Sequence, residues 1–118
     1  MKKESKYYLI DKKPWGFEKI FTKNKKTSVK ILNIKPGKRN SLQMHKNRSE
    51  FWYIMDNPIK AVIGNKIYLL KKGDSITINK KYKHRIMGLE KPAQILEISF
   101  GKFDEKDIKR FEDDFGRA

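Results

Sequence analysis

The sequence contains no cysteine. That excludes a disulfide framework, a thiolate nucleophile and thiolate metal ligands, so any metal site must draw on histidine, carboxylate or amide oxygen. No apolar run approaches the ~20 residues of a membrane-spanning helix. The charged segment Met1–Lys6 is not followed by the apolar stretch of a secretory leader. The cytoplasm is therefore the expected location, and no membrane partner is expected. Acidic residues are scarce, 14 against 29 Lys and Arg, for a net charge of +15 over 118 residues. The Lys pairs sit mostly at predicted turns (Lys12-Lys13, Lys25-Lys26, Lys71-Lys72, Lys80-Lys81). No single basic helix and no aromatic-basic surface motif stands out, so nucleic acid is not an expected partner. Dispersed lysine is the simplest reading of the charge, followed by a field that steers an anionic small molecule.

What is present is enough for one folded domain, 1–118, with no repeat, low-complexity segment or linker. Hydrophobic residues make up 37% and aromatics 12%. They fall in short runs separated by turn signals. Strands are expected over Phe17–Phe21, Thr27–Ile34, Glu50–Met55, Ile59–Ile63, Ile67–Leu70, Ser75–Asn79, His84–Met87 and Ala93–Phe100. Val29 and Ile31 share a face, and Gly64-Asn65 reads as a tight hairpin turn. Such spacing predicts an all-β barrel or sandwich with its core over about 15–101. The tail differs. Asp104 can cap a helix, and Ile108, Phe111 and Phe115 recur at helical spacing, so a short C-terminal helix is expected over about 104–115, packed by those three residues. Trp15 is expected to pack at the barrel end.

The candidate chemistry centres on the two histidines, His45 and His84, each at the edge of an expected strand. Gln43 and His45 are two apart and share a strand face. Glu50 opens the next strand, and a turn over 46–49 would fold it back. Two imidazoles, a carboxylate and an amide oxygen suit one divalent ion: zinc first, with manganese, cobalt or iron as alternatives. A pair of ordinary strand-edge histidines is the competing reading.

The spacing argues against that reading. Gly37, Gln43, His45 and Glu50 form one motif, and Gly73, Asn79, Lys81 and His84 a second, with fifteen residues, 58–72, between them. This resembles the paired motifs of the cupin superfamily, whose fold is a double-stranded β-helix, or jelly roll. Gln43 stands where the first His usually does. Asn79 and Lys81 stand for the second motif's Pro and Gly, and Gly88 for its final Asn. A closer resemblance covers about 8–117. Lys13-Pro14-Trp15-Gly16, Ser41-Leu42-Gln43-Met44-His45, Arg48-Ser49-Glu50-Phe51-Trp52, His84-Arg85 and the run from Arg110 to Arg117 look like type II mannose-6-phosphate isomerase. They match the cupin domain at the C-terminus of the bifunctional guanylyltransferase/isomerase. No glycine-rich nucleotide motif is present, so nucleotide-sugar synthesis is not expected.

The resemblance implies Gln43, His45, Glu50 and His84 as metal ligands. It also implies interconversion of mannose 6-phosphate and fructose 6-phosphate through an enediol. That reaction needs carbonyl polarisation, a proton carrier and a phosphate site. Glu112, Glu97 and Lys30 are open as the carrier, with Arg110 as an unusual alternative. Ser41, Arg48, Arg85 and Arg110 are expected around the phosphate, and Trp52 against the sugar or in the core. A homodimer is expected from the open edges of a small barrel. The competing functions are a non-catalytic sugar-binding cupin and a different metal enzyme, an epimerase or dioxygenase.

Overall fold

The computed structural model describes residues 8–118 and contains eleven strands in three sheets. β1 (Leu9–Lys13) and β2 (Gly16–Ile20) form a separate antiparallel hairpin. A four-stranded sheet runs in the order β3 (Thr27–Ile34), β10 (Ala93–Gly101), β5 (Arg48–Ile54), β8 (Ser75–Ile78). A five-stranded sheet runs in the order β11 (Lys109–Glu112), β4 (Leu42–Met44), β9 (His84–Gly88), β6 (Ile59–Ile63), β7 (Lys66–Leu70). All pairings are antiparallel, and sequence neighbours often lie in different sheets. The protein is an all-β jelly roll. Among the described residues no helix is long and apolar enough to cross a membrane.

Period-two patterning decides what faces inward. On β5, Trp52 and Ile54 point between the sheets; on β10, Ala93 and Ile95 do; β6 adds Ile59, Ala61 and Ile63. Burying each large aliphatic side chain contributes roughly 1.5–3 kcal/mol. The β6–β7 hairpin closes through Gly64-Asn65 with Gly64 at φ 60, as expected of a two-residue turn. The outer face of the four-stranded sheet is also apolar. Phe51 is buried there beneath Phe21, and Tyr8 and Phe21 pack against Tyr53. Val29 and Ile31 share that outer face and stay about half exposed (58% and 49%).

Two expectations fail. The C-terminal helix is absent: a turn follows Asp104, and β11 then pairs with β4. Tertiary hydrogen bonding to an open strand edge overrides the local helical spacing. Ile108 and Phe111 are half-buried, but Phe115 is 60% exposed, so it does not pack as expected. The sheets therefore extend past residue 101. Trp15, at the tip of the β1–β2 hairpin, is 72% exposed rather than packed.

The interior changes character along its length. On β5 the inward residues pass from Ile54 and Trp52 to Glu50 and Arg48, and on antiparallel β10 from Ala93 and Ile95 to Glu97 and Ser99. One end of the sandwich is hydrocarbon. The other is buried, polar and charged, which is costly unless every group finds a partner.

Candidate metal centre

Three side chains converge at the polar end. His45 follows β4, Glu50 lies on β5 and His84 opens β9, so both large sheets contribute. His45 Nε2 is 3.4 Å from Glu50 Oε2, and His84 Nε2 is 3.3 Å from Glu50 Oε1. One potential ligand atom from each residue lies within 4.8 Å of the others. All three residues are buried, at 3%, 2% and 3% exposure.

The ring orientations are held from behind. His45 Nδ1 donates to the Asp107 carbonyl at 2.7 Å, and His84 Nδ1 to the Tyr82 carbonyl at 2.9 Å. A carbonyl only accepts, so each Nδ1 carries the proton and each Nε2 is turned toward Glu50. Burial pushes the His45 imidazole below its ordinary range, against the pull of the Asp107 carbonyl and Glu50. Burial would raise Glu50, but the close approach of the His84 ring, with Glu97 and His45 alongside, outweighs it and lowers the carboxyl to about 2. Glu50 Oε1 has no hydrogen-bond partner. An ionised buried carboxylate with an orphaned oxygen, facing two imidazole nitrogens, calls for positive charge between them. This donor set fits a divalent cation of zinc, manganese, iron or cobalt character.

The surroundings sort the other candidates. Gln43 sits directly across from His84 in the β4–β9 pair, so their side chains share a face. Its Nε2 donates to Ser41 Oγ at 3.0 Å, which leaves the amide oxygen as the atom not engaged with the fully buried Ser41. Arg110 pairs with Gln43 across β11–β4, placing Arg110, Gln43 and His84 in one row. The Arg110 Nε is buried and has no partner. Trp52 packs edge-on to His84 (5.7 Å between ring centroids) and donates from Nε1 to Glu97 Oε1 at 3.4 Å. Burial and the adjacent Glu50 charge push Glu97 up to about 7. Arg48 reaches both His45 and Glu50. Lys30, opposite Glu97 in the sheet register, lies over the Phe103 ring at 4.2 Å.

Arg85 and Glu112 are not brought to this group. Strand alternation turns Arg85 away from His84, and its guanidinium binds the Asn40 carbonyl (3.0 Å) and Glu112 Oε1 (3.0 Å). Glu112 is level with Leu42, on the face opposite Gln43. Together they tie β11 to β9 on the outside.

The segment 102–108, most of it expected as the start of the C-terminal helix, straps the site instead. The Asp107 carboxylate accepts from the Lys46 and Asn47 amides at 2.9 Å each, and the Asp104 carbonyl accepts from Arg48. No short-range pattern marks Asp107 for this role, because its partners lie sixty residues away.

Residues 2–113 match the family described as mannose-6-phosphate isomerase, C-terminal. The chain belongs to that family. Among its curated relatives, the xanthan biosynthesis protein XanB of Xanthomonas campestris pv. campestris is 33% identical over 108 residues, covering 90% of this chain and 23% of XanB. The mannose-1-phosphate guanylyltransferase ManC of Salmonella typhimurium is 32% identical over 108 residues, again 90% of this chain and 22% of ManC. The chain thus spans under a quarter of the length of these relatives. Oxalate decarboxylase from Bacillus subtilis shares the fold, with a TM-score of 0.68 and 22% identity over 74% of this chain and 24% of that one. A family assignment and a cupin fold are what the motif spacing implies.

Proposed function

We propose that the protein is a metal-dependent sugar-phosphate isomerase that interconverts mannose 6-phosphate and fructose 6-phosphate. The observation that carries this reading is the convergence of His45, Glu50 and His84. Gln43 and Arg110 share their row of the barrel wall. His45, His84 and Glu50 would hold the ion, and the Gln43 amide oxygen would serve as a fourth protein ligand. A bound divalent ion supplies Lewis-acid polarisation of the sugar carbonyl.

The chain's own residues account for the rest. The reaction moves a proton between C1 and C2 of the open-chain sugar. Of the groups open as proton carrier, Glu97 and Lys30 lie on the site's side of the sheet, and Glu97 is the buried carboxyl beside Glu50. Trp52 orients Glu97 through its indole N–H and closes the floor against the hydrocarbon core. The unpaired Arg110 Nε, with Lys30 near the strap, favours a dianionic phosphate.

A second reading is a non-catalytic cupin that holds the metal and binds a sugar phosphate. The burial of all three donors beneath the 102–108 strap favours it. A coupled assay on mannose 6-phosphate with zinc, manganese, cobalt or iron separates the two. Turnover supports the isomerase. No turnover with any metal, together with a melting temperature raised by the sugar phosphate, selects the binder. Elemental analysis of the Gln43→Ala/His45→Ala variant tests the centre itself. Metal content equal to that of the unaltered protein would sink it.

A further inference from the structure

Arg48 stands apart from the other arginines because it contacts the metal-donor atoms themselves. It lies two residues before Glu50 on β5 and is 7% exposed. Its Nη2 approaches His45 Nε2 at 3.3 Å, and its Nε approaches Glu50 Oε2 at 3.5 Å. Because His45 Nδ1 is committed to the Asp107 carbonyl, Nε2 holds the single lone pair of a neutral ring and accepts from the guanidinium. That lone pair is the one a metal ion would use. It cannot serve both.

The strap side of Arg48 is anchored independently. Nη1 donates to the Asp104 carbonyl at 3.2 Å, and the guanidinium carbon lies 4.5 Å from the centre of the Phe103 ring. Lys30 shares that ring. A guanidinium released from His45 and Glu50 therefore keeps two of its holds and stays near the strap. Retention beside the ion would set a fixed positive charge within a few ångströms of a divalent one, in a buried setting where charges are weakly screened.

We propose that Arg48 is a built-in competitor for the metal, and that metal uptake displaces its guanidinium from His45 and Glu50 toward the strap. This rests on the metal centre of the preceding reading and adds an internal cation that sets how tightly the centre binds. It follows that removing the competitor tightens metal binding, where removing a supporting residue would weaken it.

The test is zinc affinity, measured by competition with a chromophoric chelator, for the unaltered protein and for Arg48→Met, Arg48→Lys and His45→Ala. Arg48→Met is expected to bind zinc about tenfold more tightly, with Arg48→Lys in between. In metal-free protein Arg48→Met should melt lower than the unaltered chain, since Glu50 loses a counter-charge. Its gain in melting temperature on adding zinc should be larger. A second readout needs no variant that must fold: in 15N-arginine-labelled unaltered protein, zinc should move the Arg48 Nε–H resonance and leave that of Arg39 in place. Zinc affinity unchanged or weakened in Arg48→Met, or an Arg48 resonance indifferent to zinc, overturns the inference while leaving the centre intact. Zinc binding that His45→Ala does not abolish overturns the centre and this inference with it.

Discussion

Asp107 shows how much of the site depends on one residue outside it. Its carbonyl holds His45 Nδ1, and its carboxylate closes the turn after His45 by accepting from the Lys46 and Asn47 amides. Removing that carboxylate in Asp107→Ala should weaken metal binding about tenfold, the scale usual for supporting groups behind a ligand. Chelator competition measures it, and the sign is opposite to that expected for Arg48→Met. At the C-terminus, Asp113 accepts from the Arg117 side chain at 2.7 Å and from its backbone amide. The Arg117 guanidinium is the main cause that lowers Asp113 to about 2 from an ordinary 3.8. A lowered carboxyl stabilises the folded form above its unfolded value, and that contribution is lost as pH falls from 3.8 toward 2. Carbon-13 titration of the Asp113 carboxyl should give a midpoint near 2, and Arg117→Ala should return it toward the ordinary value.

At the scale of elements, the turn before β9 carries a residue that its backbone does not favour. Lys81 stands where cupins usually have Gly, and it adopts φ 66 while its amide donates to the His45 carbonyl at 2.7 Å. A non-glycine residue held there costs of order 1–3 kcal/mol, against roughly 0.5–1 kcal/mol for the extra chain entropy of glycine. Lys81→Gly should therefore raise the melting temperature by a few degrees. Gly88, at the far end of β9, meets a different constraint. A Cβ there would lie 2.4 Å from the Lys35 carbonyl oxygen. Gly88→Ala should lower stability by more than about 1 kcal/mol in denaturant unfolding, because the obstacle is backbone and cannot rotate away. The C-terminal segment shows the limit of local reading. Asp104, Ile108, Phe111 and Phe115 carry helical spacing, yet Asp107 and β11 find their hydrogen-bond partners on the loop at 46–47 and on β4.

For the whole molecule, the net charge of +15 has a kinetic consequence. If the field draws a dianionic sugar phosphate to the mouth, its association rate should fall as ionic strength rises from about 0.01 to 0.15 M, where the screening length shortens from ~30 to ~8 Å. Stopped-flow binding of the sugar phosphate tests this, and a rate indifferent to salt would show the lysines to be dispersed without effect. Metal binding, if these residues hold an ion, should act on the whole fold as well, because the candidate ligands come from both large sheets. Metal at a hundred times its dissociation constant should stabilise the chain by about 2.7 kcal/mol, and a chelator should lower its melting temperature by roughly 10 °C.

Most of the strands, the turns and the candidate ligand positions could be read along the chain because they rest on short-range rules. Alternation marks the faces, glycine and asparagine mark the turns, and the spacing of Gln43, His45, Glu50 and His84 survives any detail of packing. The same rules misread what depends on distant partners. Alternation groups Val29 with Ile31 but does not say that their face is the outer one. It sets Arg85 beside His84 in sequence and turns the two side chains to opposite faces of β9. The sequence determined by itself an all-β chain of this family with two imidazoles and a carboxylate at metal-ligand spacing. Only the tertiary structure decided that Arg85 and Glu112 stand outside the centre and that Asp107 stands behind it. Those contacts join residues far apart in the chain, whose meeting depends on how the two sheets close.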